Sequence, residues 1–150
     1  MPSRVEIVNN YPGFDIQEQP VENIVLKFLS DEALSAREIT VVFVEDNFLR
    51  TLHHDYLGDD TFTDVMTFNL SEDETVEGEI YISLDRAKIH AAEFGVTLPE
   101  EIARLVIHGL LHLKGYDDRT NDEQNMMRKK EELYLKRYVD QIYSLKVSCR

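Results

Sequence analysis

The chain has 150 residues, 43% of them hydrophobic, and a formal net charge of −13. That length and composition favour one compact domain with a sizeable core and exclude a disordered chain. A single cysteine, Cys149, excludes an internal disulfide and a cysteine-based metal cluster, and no apolar run approaches the roughly 18 residues of a membrane span.

The predicted elements follow in chain order. Alternation in VEIVNN (5–10) suggests a short strand, broken by Pro12 and Gly13. Val21, Ile24, Val25, Phe28 and Leu29 recur at a helical period and predict a helix over about 16–29. EITVVFVE (38–45) is rich in β-branched residues and reads as a buried strand. DNFLRTLHHDYL (46–57) predicts a short helix, its His53–His54 pair exposed. DVMTFNL (64–70) and GEIYIS (78–83) then predict two strands around an acidic loop.

Helices dominate the remainder. Ser83 or Asp85 can cap a helix that ends at Gly95. Thr97 and Glu100 have capping-box spacing ahead of a helix over about 98–113, stopped by Gly115. Thr120 and Glu123 repeat the box before a long charged helix through about Tyr143, and the last few residues are expected to be disordered. Strands early and helices late give an α+β class: a single domain over 1–150, with a small mixed four-stranded sheet covered by helices.

Residues 108–118, HGLLHLKGYDD, hold the chemistry. His108 and His112 are four apart on a helix apolar on most sides, so they share one face, one turn apart. Taken alone, such a pair is better explained by core histidines bonded to carbonyls or carboxylates; the glycine and the carboxylate that follow reverse the preference. Gly115 can take a positive φ and turn the chain back, bringing Asp118 toward that face. Two imidazoles and a carboxylate make a three-ligand metal site on the central helix, with a position left for water. Asp117 is the competing oxygen donor. A zinc protease of the HExxH type needs a glutamate base after its first histidine, where this chain has Gly109. That glycine is expected to expose backbone beside the metal to a bulky substrate.

These residues resemble the YbeY family of single-domain bacterial endoribonucleases, whose signature H-G-x-L-H-L-x-G-Y-D-H differs here only at its last position, Asp118. TDVMTF (63–68) and GEIYIS (78–83) are similar to two further strands of the family. The resemblance spans roughly 5–140. It implies a metal at His108, His112 and Asp118, zinc in the family. The carboxylate makes another divalent ion such as manganese a second option.

The resemblance further implies a single-strand-specific endoribonuclease acting in 16S rRNA 3′-end maturation and ribosome quality control in the cytoplasm. Its implied partners are ribosomal RNA, the small ribosomal subunit and associated proteins, with no membrane. Many family members carry an arginine after the tyrosine upstream of the T-D-V segment, whereas this chain reads Tyr56-Leu57.

Charge is uneven: residues 1–99 carry 6 Lys/Arg against 20 Asp/Glu, residues 100–150 carry 10 against 9. Polyanion contacts are therefore expected from the C-terminal third, with Arg104, Lys114 and Arg119 as the nearest candidates for RNA phosphates. Two other functions remain open at this point: a ribosome-assembly factor with a structural metal site, and a metalloprotease.

Overall fold

The computed structural model describes residues 3–149. Strands β1 (Arg4–Asn9), β3 (Ala36–Val44), β4 (Val65–Asn69) and β5 (Val76–Ser83) form one mixed sheet in the order β1-β3-β5-β4. β1 and β5 flank β3 in parallel; β4 pairs antiparallel with β5 and forms an edge. Helices α1 (Glu18–Asp31), α2 (Asp46–Leu57), α3 (Leu84–Phe94), α4 (Leu98–Lys114) and α5 (Asn121–Arg137) surround it. This is the expected α+β architecture, with strand order added.

Alternation along the strands sorts two cores. Ile39, Val41, Phe43, Ile80 and Ile82 point to one face, against Val25 and Phe28 of α1 and Leu105, Val106 and Leu110 of α4. Val42, Val44 and Met66 point to the other, where Leu49 of α2 fills a smaller cluster with Phe68 and Tyr81 at its margin. Burying apolar side chains on both faces explains why β3 reads as a continuous hydrophobic run rather than an alternating one.

Two glycines set how closely α4 approaches the sheet. A Cβ on Gly109 would stand 2.7 Å from Ile80 Cγ2, and one on Gly78 of β5 would stand 2.6 Å from Leu113 Cδ1. The expectation for Gly109 is thereby corrected: its bare backbone faces β5, not a substrate. Helix-to-strand contact, rather than access, requires the glycine.

Caps follow the sequence closely. Ser83 accepts from Arg86 N, Thr97 from Glu100 N, and Thr120 with Glu123 completes a reciprocal capping box. Two differences stand out. The last helix breaks at Tyr138, whose buried ring stacks on Tyr134 and whose hydroxyl donates to Asp31, leaving α6 (Val139–Ser144) as a separate segment. The disorder expected of the last few residues is also corrected as far as Cys149, Arg150 lying outside the described residues: β6 (Val147–Cys149) pairs antiparallel with β2 (Phe14–Ile16), behind a buried Leu145. Backbone pairing there satisfies groups that a free tail would leave to water. Neither three-residue strand carries enough periodicity to be visible in the sequence. Among the described residues, no helix is long and apolar enough to cross a membrane.

Candidate metal centre

Helix α4 presents His108 and His112 one turn apart at the rim of a cleft of about 720 Å³. Gly115, at φ 115°, caps the helix; its N–H reaches back to the Leu111 and His112 carbonyls, and the Tyr116 N–H to that of Leu111. This reversal returns the chain toward the histidines within three residues. Asp118 Oδ2 arrives 3.6 Å from His108 Nε2 and 3.5 Å from His112 Nε2, and the two Nε2 atoms are 3.1 Å apart.

That triangle tests whether a metal fits. Ligand bonds of about 2.0–2.1 Å at tetrahedral angles place ligand atoms roughly 3.3–3.4 Å apart, which the three measured edges bracket. The donor set is equally suited. Glu131 Oε2 lies 2.7 Å from His108 Nδ1, so that nitrogen carries the proton and Nε2 offers a lone pair to the centre. Two imidazole nitrogens and a carboxylate oxygen face one point, where a divalent cation would be held by all three.

Asp117 points elsewhere. Its Oδ1 accepts from the Asp118 backbone N–H and its Oδ2 lies 3.3 Å from Arg119 Nε, so it shapes the turn that delivers Asp118.

Behind His108 runs a buried charge network that the sequence did not disclose. Arg104 gives two hydrogen bonds of 2.7 Å to Glu101 and a third, of 3.3 Å, to Glu131. Glu101 is 1% exposed and Glu131 7%. Hydrogen bonding to Glu101, opposed by burial, pushes the Arg104 guanidinium well above its ordinary value, so it stays charged. His90 joins this group, its Nδ1 lying 3.4 Å from Asp64 Oδ2 and 3.7 Å from Glu101 Oε2. Glu131 is 23 residues from its histidine, and no spacing rule links the two.

The three cations singled out for RNA contact therefore have different surroundings. Arg104 is hydrogen-bonded to Glu101 and Glu131 and lies 3.9 Å from Asp64, and Lys114 Nζ donates to the Glu32 carbonyl. Arg119, with its side chain 85% exposed, stands at the cleft. The cleft runs along the edge strand β4 and is lined by Asp64, Val65 and Thr67 together with His53, Tyr56 and Leu57 of α2.

Comparison with known proteins identifies the family. A profile of the family Endoribonuclease YbeY matches residues 6–139. A Christiangramia forsetii protein described as Endoribonuclease YbeY is 37% identical over 116 residues, covering 77% of this chain and 81% of the relative. Its Flavobacterium psychrophilum counterpart is 39% identical over 124 residues, covering 82% and 89%. A solution structure of a Thermotoga maritima protein superposes with a TM-score of 0.62 at 30% identity, over 93% of this chain and 89% of that one. YbeY proteins are metal-dependent endoribonucleases of ribosomal RNA processing, and the chain belongs to that family.

Proposed function

We propose that residues 1–150 act as one hydrolase domain that cuts single-stranded RNA at the 16S 3′ end, with zinc held by His108, His112 and Asp118. The observation that carries this reading is the triangle of ligand atoms, with edges of 3.1–3.6 Å, opening on a cleft beside an edge strand. Bound zinc supplies Lewis acidity, acidifying water and polarising a phosphoryl oxygen.

The chain's own residues do the rest. Glu131 holds His108 in one tautomer, and Arg104 holds Glu131. On this reading Arg119 meets a phosphate, and β4, whose residues line the cleft, guides the strand. A His-His-Asp set also accepts manganese, which elemental analysis distinguishes. RNA is the substrate on this reading; contacts with the small ribosomal subunit and its proteins, a cytoplasmic location and a part in ribosome quality control go with it.

Untagged protein purified without chelator should contain about one zinc per chain. It should cleave single-stranded RNA in preference to duplex, lose activity on chelation and regain it with zinc. Cleavage unaffected by metal removal would overturn the proposal. Retained 16S maturation in cells bearing His112→Ala would instead favour an assembly factor with a structural metal. The protease alternative has no support in the geometry, since Gly109 is packed on Ile80 where such an enzyme needs its glutamate base.

A further inference from the structure

Four aromatic rings lead away from the metal cleft across the α2 side of the sheet. Tyr56, in the last turn of α2, leans on Phe68 of β4 with ring centroids 4.9 Å apart. Phe68 meets Tyr81 edge-on at 5.8 Å, and Tyr81 stacks with Phe48 at 6.3 Å. Tyr56 and Phe68 line the same cleft as His108, His112 and Asp118. Tyr56 is 65% exposed and its neighbour Leu57 68%. A flat ring is thus held in water at the mouth of the site by the inner rings behind it.

Charge points the same way. Asp64, Asp117 and Asp118 line the cleft, and Arg119 is the one Lys or Arg among its lining residues. Arg119 in turn faces Asp117 at 3.3 Å. A strand gripped through its phosphates needs clustered cations, which this cleft does not offer. An exposed aromatic face binds nucleic acid by stacking, at about 1–3 kcal/mol per base, with little regard to sequence.

We propose that Tyr56, backed by Phe68, is a stacking platform for an unpaired base of the strand whose phosphodiester lies at the metal centre. The inference rests on the proposed reading of that centre. A base in a duplex already has its faces covered by its neighbours, so only a single-stranded or extruded base can reach the ring. Tyr56 therefore selects single strands, and its contribution to binding is nearly independent of salt.

The test uses a single-stranded deoxyribo-oligonucleotide containing 2-aminopurine, whose fluorescence is quenched by stacking and whose binding bypasses ribonucleotide cleavage. The metal-loaded parent should quench it, and tripling the salt should weaken binding only about two- to threefold, as for a single phosphate contact. Tyr56→Phe should bind like the parent. Tyr56→Leu, which keeps an apolar cover on Phe68 but has no flat face, should bind about tenfold more weakly, as should Tyr56→Ala. Thermal midpoint and metal content should not move in any of the three.

Parent-like affinity in Tyr56→Ala and Tyr56→Leu, or no quenching by the parent, would overturn the platform. Normal quenching by a parent that cannot hydrolyse RNA would fault the reading of the metal centre and leave the platform standing.

Discussion

Glu131 Oε2 lies 2.7 Å from His108 Nδ1, fixing an imidazole of the proposed metal centre from a helix that contributes none of its three candidate ligands. A carboxylate behind a ligand histidine sets its tautomer and raises its basicity, and losing one typically costs 10–100-fold in metal affinity. Glu131→Gln should therefore weaken metal binding by about that factor in a chelator competition. The amide keeps the shape but brings an N–H₂ group toward Arg104 and no charge toward His108. Unchanged metal affinity would reduce Glu131 to a packing residue.

The proposed third ligand is tested by exchange. Asp118 Oδ2 is within 3.6 Å of both Nε2 atoms, so Asp118→Ala should lose most of its metal during purification. Asp118→His, which restores the family's signature residue, should keep or tighten it. Equal metal content in Asp118→Ala and the parent would return the assignment to Asp117.

A methyl group added to Gly109 has nowhere to go. Its position, 2.7 Å from Ile80 Cγ2, lies between a helix and a strand that are both buried. Alanine's better helix propensity, worth about 1 kcal/mol, should not offset an overpacking cost of about 1–3 kcal/mol. Gly109→Ala should lower the melting temperature, and trimming the neighbour in Gly109→Ala/Ile80→Ala should cost less than the two changes summed. Simple additivity in that cycle would show that the contact is not the cause.

Much of this was legible in the sequence, where one residue type has one local reason. The β-branched run of β3, the Thr120–Glu123 box and the four-residue histidine spacing each decide their structure within a turn or a strand. Gly115 even announced the reversal that delivers Asp118. What stayed hidden depends on residues meeting from afar. Glu131 looked like one more charge on a solvated helix, and Arg104 like a free cation, until α4 and α5 were placed together. The pairing of β2 with β6 joins segments more than 130 residues apart, each too short to show a pattern.

Acid should act first on the α1–α5 interface. Burial alone would push the Glu32 carboxyl up, but hydrogen bonds from Tyr134, Lys130 and Tyr116 outweigh it and hold the group below its ordinary 4.5. The Tyr138 hydroxyl, helped by Arg137, likewise holds Asp31 below 3.8. For a carboxyl with a depressed folded pKa, the stabilisation is complete above the unfolded value and is lost as pH falls through the folded one. Melting temperature should thus be insensitive to these groups near neutral pH and fall below about pH 4.5. Glu32→Gln should start lower and fall less across that window. Parallel curves for parent and variant would show that Glu32 does not contribute.

Leu57 gives the last prediction, because it stands where the sequence resemblance leads one to expect the arginine of many family members. The residue is 68% exposed at the cleft rim, so a longer polar side chain enters water rather than the core. In Leu57→Arg, a guanidinium would stand opposite His108 and His112 across the cleft, where it can meet a phosphate of the bound strand. Single-strand affinity should rise by about tenfold, an amount typical of one charge-assisted contact, and the salt dependence should steepen by about one phosphate's worth. Tyr56→Ala/Leu57→Arg should retain the steeper salt dependence while losing the stacking contribution, since the two act through different parts of the strand. An unchanged salt slope in Leu57→Arg would mean that RNA does not cross the α2 rim, and would place the strand on the Arg119 side of the centre instead.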